Sequence, residues 1–241
     1  MTGPILLVAH GSKDPGAAAM TRALARAVAA ERPGSTVRAA FLDHAGPRPD
    51  EELASLRADG HHEVTVVPLL LTAAYHRKVD VPAVVAKASV PVTVTDIVGP
   101  VAGRVPAALL DGLHRRLAET GTPFDAVVLA AAGTRDRAAR ATVELSARAL
   151  GHRLRVPCLA AYASASAPTP GEAVAALQRR GARRVAVGTY FLAPGRLYDA
   201  AVDSARDAGA VAAARPLGAA SELVRLVLAR VGAAEPRAVA A

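Results

Sequence analysis

The chain has 241 residues, 52% hydrophobic and 21% charged, so a sizeable core is available and global disorder is excluded. Aromatics are only 3% with no Trp, so the stacking platforms of single-stranded nucleic-acid binders are scarce and no nucleic-acid partner is expected. The formal charge of +8 favours acidic partners, and Cys158, the only cysteine, rules out an internal disulfide and a thiolate metal cluster.

In chain order, β-branched apolar runs predict strands at roughly 4–10, 36–42, 63–71 and 92–98. Alanine-rich stretches carrying Arg or Glu predict helices near 15–31, 49–58, 78–88 and 101–119. Gly121 and Pro123 then interrupt the pattern in "ETGTPFD" (119–125), and the alternation begins again. The N-terminal apolar run is short and has no basic flank. No stretch of 18 or more uncharged apolar residues occurs, so a cytoplasmic location without a membrane partner is expected.

The second half repeats the first. "ILLVAHGSKD" (5–14) is echoed by "VVLAAAGTRD" (127–136), with Ala132 in place of His10 and Gly133, Thr134, Arg135 and Asp136 matching Gly11, Ser12, Lys13 and Asp14. Residues 36–53 are echoed by 156–174, 62–80 by 182–200, and 90–100 by 209–219. Apolar strands without internal alternation, separated by helices, form parallel sheets covered on both faces. The fold class is therefore α/β, with two similar doubly wound parallel-sheet βα domains over 1–120 and 124–232 and a flexible tail at 233–241. A duplicated chain supplies its own twofold contact, so a monomer is expected.

In open parallel sheets, ligands bind beyond the carboxyl ends of the strands. His10 ends the first strand, Asp43 and His44 follow the second, and His76 follows the third in "TAAYHRKVD". His61 and His62 precede a strand, His114 lies in a helix and His152 after one, so these four belong to the surface. Ala132 replaces His10 and Leu197 aligns with His76 in the second half. A scaffold requirement would keep both imidazoles in both copies; a site present once would not. Neutral imidazoles are borderline ligands for Fe2+, Co2+, Ni2+ or Zn2+, and a carboxylate adds an oxygen. So small a ligand set leaves coordination positions open, which suits transient handling of an ion.

Competing motifs fail on specific residues. Ala9 stands where a histidine phosphatase needs the arginine of its Arg-His-Gly triplet. No G-x-S-x-G elbow, H-E-x-x-H, G-x-x-x-x-G-K-[ST] or strand-linked G-x-G-x-x-G occurs.

"LLVAHGSKDP" together with "PLLLTAAYHRKVDVP" resembles the CbiX/SirB-type sirohydrochlorin chelatases, class II tetrapyrrole chelatases, over nearly the whole chain. The resemblance implies a lyase that inserts a divalent metal into sirohydrochlorin without ATP, in a cleft between the two domains. It carries the catalytic role onto His10 and His76 and the metal-contacting role onto His10, His76 and Asp43, where the family often has Glu. Gly11, Ser12, Lys13, Arg77, Lys78, Arg135 and Arg196 would meet the polycarboxylate macrocycle from a cationic cleft, with Arg137 on the same rim. Fe2+ for sirohaem is favoured. The alternatives are Co2+ for anaerobic cobalamin synthesis, Ni2+, or a non-catalytic carrier of metal or tetrapyrrole. The metal is a substrate, and no resident cofactor is implied.

Overall fold

The short apolar runs become strands that hydrogen-bond only in parallel. In the computed structural model, which describes residues 3–72, 86 and 88–234, β1 (Ile5–Ala9), β2 (Val37–Phe41), β3 (Val64–Pro68) and β4 (Val92–Val94) form a sheet in the order β2-β1-β3-β4. β5 (Ala126–Ala131), β6 (Cys158–Tyr162), β7 (Val185–Thr189) and β8 (Ala212–Ala213) form a second in the same order, β6-β5-β7-β8. β1 and β5 are central and almost wholly buried, which is why they carry no polar alternation.

Helices cover these sheets, and their starts repeat as well. α1 (Pro15–Glu31) opens on Asp14, whose carboxylate accepts the Gly16 N–H at 2.8 Å, with Pro15 at the first helical position. α4 (Arg137–Leu154) opens the same way on Asp136, which accepts from Ala138 at 2.8 Å. α2 (Pro49–Ala58) and α5 (Pro170–Arg179) both begin on a proline, and Thr169 and Glu172 close a reciprocal cap on α5. α3 (Ala107–Ala118), α6 (Arg196–Asp207) and α7 (Ser221–Ala234) complete the set.

Several boundaries differ from the sequence expectation. The helix expected over 101–119 starts only at Ala107, because Val101 and Arg104 pair across a tight turn with Ala102 and Gly103 at positive φ. Strand β4 stops at Val94 instead of 98, being an edge strand paired on one side only. β3 ends at Pro68, not 71; there the Leu70 N–H turns back to the Pro68 carbonyl. His152 lies in the last turn of α4 rather than after a helix, and α7 extends to Ala234, past the expected start of the tail. The helix expected at 78–88 falls almost entirely outside the described residues, as do 235–241.

The packing of the closing helices sets the relation between the halves. α3, from the first repeat, packs on β7 and α4 of the second; α7, from the second repeat, packs on β3 and α1 of the first. Leu117 of α3 lies over Gly188 of β7, and Gly112 lets α3 approach Leu217 and Glu222 at the start of α7. The inner faces of both sheets consequently share one apolar core, including Leu7, Phe41, Leu113, Leu129 and Val227. Each outer face has its own cluster.

Polar contacts also join the halves, among them ion pairs of Arg153 with Asp111 and of Arg215 with Glu119. Arg115 and Glu222 pair at 2.9 Å, Arg116 donates to the Leu217 carbonyl at 2.8 Å, and Arg230 donates to the Gly99 carbonyl at 3.0 Å. Among the described residues no helix is long and apolar enough to cross a membrane.

Candidate active site

The order β2-β1-β3-β4 reverses direction between β1 and β3, so the crevice for a ligand opens beyond their carboxyl ends. His10 is the residue that follows β1 there, and it is exposed. Directly after it, Gly11 has φ +96°, and a Cβ at this position would lie 1.8 Å from the Asp43 carbonyl oxygen. Only glycine permits this approach, and the Asp43 N–H donating to the His10 carbonyl at 2.8 Å locks the two strand ends together.

That lock brings a second imidazole to the first. His44 takes a left-handed φ of 59°, and its ring stands edge-to-face to that of His10, with centroids 6.4 Å apart and an interplanar angle of 82°. The Asp43 carboxylate turns toward His44: Oδ1 accepts the His44 N–H at 2.8 Å, and Oδ2 is 3.5 Å from Nε2. The backbone hydrogen bond from His44, helped by the nearby imidazoles and Arg48, lowers the Asp43 pKa despite some desolvation, so Asp43 is an anion near neutral pH.

A cavity of about 1160 Å³ spreads from this point across the opening between the halves. This is above the roughly 300–1,000 Å³ of pockets for drug-sized ligands. Of the residues singled out in the sequence, His10, Gly11, Ser12, Lys13 and Arg196 line it, and so does His44; Asp43, Arg135 and Arg137 are not among its lining residues. His76, Arg77 and Lys78 lie outside the described residues. Ser12 is tied locally, its Oγ accepting the Asp14 N–H at 3.1 Å, and Thr134 makes the same 3.1 Å bond to Asp136 in the other half.

The wall contributed by the second half carries residues that the sequence reading did not single out. Phe191 and Tyr198 pack edge-to-face at 5.9 Å, and both face the cavity with Leu192, Pro194 and Leu197. The signal was available: in a chain this poor in aromatics, "TYFLAPGRLY" (189–198) holds three of them. Tyr190 is buried at the cavity floor, where its hydroxyl donates to the Leu71 carbonyl at 3.0 Å and burial raises its pKa, so it remains a donor. Among the described lining residues, Lys13 and Arg196 stand against Asp14, Asp199 and Asp203, so a uniformly cationic cleft is not what these residues form. Burial pushes the Cys158 thiol up to about 12, so it is no nucleophile. No set of three or more His, Cys, Asp or Glu side chains among the described residues converges well enough to hold an ion.

Fold and site together define a duplicated parallel α/β protein with an imidazole pair at the switch point of one copy and a large cavity between the copies. The CbiX family model matches residues 4–120 and again 126–234, and the chain belongs to the CbiX family. A sequence search of curated proteins finds no match.

Among solved structures, SirB from Bacillus subtilis with Fe3+ superposes with a TM-score of 0.81 at 22% identity, over 96% of this chain and 95% of that one. The sirohydrochlorin chelatase SirB from Bacillus subtilis subspecies spizizenii in complex with cobalt gives 0.77 at 20% identity, over 96% and 94%. CbiX, described as the terminal enzyme for biosynthesis of siroheme in denitrifying bacteria, gives 0.71 at 19%, over 96% and 99%. At these identities the superpositions establish a common fold. The family model's double match agrees with the internal repeat read from the sequence.

Proposed function

We propose that this chain is a sirohydrochlorin chelatase that inserts a divalent metal, with Fe2+ favoured, in the cavity between the repeats. The observation that carries the reading is His10 at the β1/β3 switch point, facing an inter-repeat cavity large enough for a macrocycle, in a member of the CbiX family. Solved relatives of the same fold hold Fe3+ in one case and cobalt in another, so both iron and cobalt belong in the test.

Insertion strips water from the ion and replaces two pyrrole N–H bonds by metal–nitrogen bonds, releasing two protons. His10, with His76, receives the ion and takes up a pyrrole proton as the metal enters. Neutral imidazoles hold such an ion without closing its coordination sphere, so it can pass to the macrocycle. Lys13 and Arg196, one from each repeat, line the cavity and meet substrate carboxylates, and Arg77 and Lys78 join them in this assignment. Phe191, Tyr198 and Leu197 present an apolar wall to the ring face.

The test is an anaerobic panel of Fe2+, Co2+ and Ni2+ with purified protein and sirohydrochlorin, followed by absorbance. Formation of the metallated product above the uncatalysed rate is expected, fastest with Fe2+. Preference for Co2+ would assign the cobalamin branch. A spectral shift of bound sirohydrochlorin without product would replace the enzyme by a carrier.

A further inference from the structure

Position 44 passes the same single-copy test as His10. The loop after β2 is repeated after β6: Ser164 donates to the Ala132 carbonyl as Asp43 does to that of His10, and Gly133 approaches the Ser164 carbonyl as Gly11 approaches that of Asp43. Ala165 takes φ 59°, the same left-handed value as His44. The unusual backbone therefore belongs to the scaffold, while the imidazole at 44 and the carboxylate at 43 occur only in the copy that carries His10.

We infer that His44 is a metal-contacting residue that shares the incoming ion with His10, and that Asp43 acts on it from behind as an orienting carboxylate. This rests on the proposed chelatase reading and reassigns Asp43 within it. Three observations carry it. His44 lines the cavity and Asp43 does not. Both Asp43 oxygens are directed at His44, one to its backbone N–H and the other 3.5 Å from ring Nε2. The His44 ring faces His10 at 6.4 Å between centroids, a spacing near the roughly 6.5 Å upper limit for two imidazoles bound about 2.1 Å from one ion. Both side chains are exposed at the cavity rim.

The division of labour is a recurring one in metal chemistry. A ligating imidazole directs its other ring N–H to a carboxylate, which fixes the ring and raises its basicity. Here Nε2 toward Asp43 leaves Nδ1 for the ion. The Asp43 carboxylate stays beside its own backbone and His44 and does not line the cavity, whereas the His44 side chain does.

The test is Co2+ titration of the full chain without tetrapyrrole, read by visible absorbance and by counting imidazole ligands with X-ray absorption. The variants are His44→Ala, which copies the residue carried by the second half at the same φ, His44→Asn, which tolerates the left-handed backbone, and Asp43→Ala. Asp43→Ala is expected to weaken Co2+ about 10–100-fold, as loss of an orienting partner does. Both His44 variants should weaken it further and remove one imidazole from the count, with circular dichroism unchanged. Wild-type affinity and an unchanged imidazole count in both His44 variants would overturn the inference. So would a Co2+ site in which Asp43→Ala removes a carboxylate oxygen while the imidazole count stays. A wild-type chain that neither binds Co2+ nor metallates sirohydrochlorin would instead remove the chelatase reading.

Discussion

The two repeats share a backbone and differ in what it presents. Gly11 and Gly133 have φ of 96° and 95°, and a Cβ on either would lie under 2 Å from a carbonyl oxygen, at 1.8 Å and 1.9 Å. Ser12 and Thr134 make the same local bond, and Asp14 and Asp136 cap the same helix. Yet His10, Asp43 and His44 in one copy face Ala132, Ser164 and Ala165 in the other. Residues kept in both copies hold the turn; residues found in one copy are those assigned to the proposed chemistry.

Four sets of variants separate the two copies. The largest effect is expected for His10→Ala combined with His76→Ala: insertion should fall by roughly 10²–10⁴-fold, the range of lost acid–base groups, while thermal stability stays near wild type. The native Ala132 shows that this turn accepts alanine at position 10. Retained insertion would detach the histidines from the chemistry.

Next come Gly11→Ala and Gly133→Ala, each of which forces a Cβ into a backbone carbonyl at positive φ. Each should cost about 3 kcal/mol. By calorimetry this appears as a drop of about 6–12 °C in melting temperature for a chain this long. Only Gly11→Ala should also impair insertion at temperatures where both variants are folded. Equal activities would show that the turn's position does not matter to the site.

Glu222→Gln tests the joint between the copies. Burial alone would raise the Glu222 pKa, but the hydrogen bond and charge of Arg115 outweigh it and hold the carboxyl below its usual range. A folded value below the unfolded one stabilises the protein above the unfolded carboxylate range, and this contribution is lost as pH falls through the folded value. Because Arg115 is over a third exposed, solvent screening limits the effect to about 1 kcal/mol. Urea midpoints should decline more steeply between about pH 6 and pH 3 in wild type than in the variant; parallel curves would show that the pair contributes nothing.

The smallest effect separates two arginines. Arg196 lines the cavity and Arg135 does not. Arg196→Ala should raise KM for sirohydrochlorin a few-fold with little change in kcat, and Arg135→Ala should leave both within error. The reverse order would place substrate on the other rim.

Much of this was legible in the sequence because it rests on local chemistry. Apolar runs without alternation announce buried parallel strands, and Asp14–Pro15 and Thr169–Pro170 announce helix starts. His10 stood out because a buried strand ended on it in one copy alone. The exchange of α3 and α7 was not legible: their apolar faces say that they are buried, but not on which sheet. Repeat symmetry puts Arg135 at the position of Lys13 but does not specify where a long exposed side chain points. Nothing in the sequence shows that the Asp43 carboxylate turns back on His44, which needs the folded loop.

The traded helices have a consequence for the molecule's dissection. Each repeat, taken from its first strand to its last helix, covers the outer face of its own sheet but leaves part of the inner face to the other's closing helix. A protein severed near Gly121 therefore yields two pieces with apolar inner surface still open, which only rejoining closes.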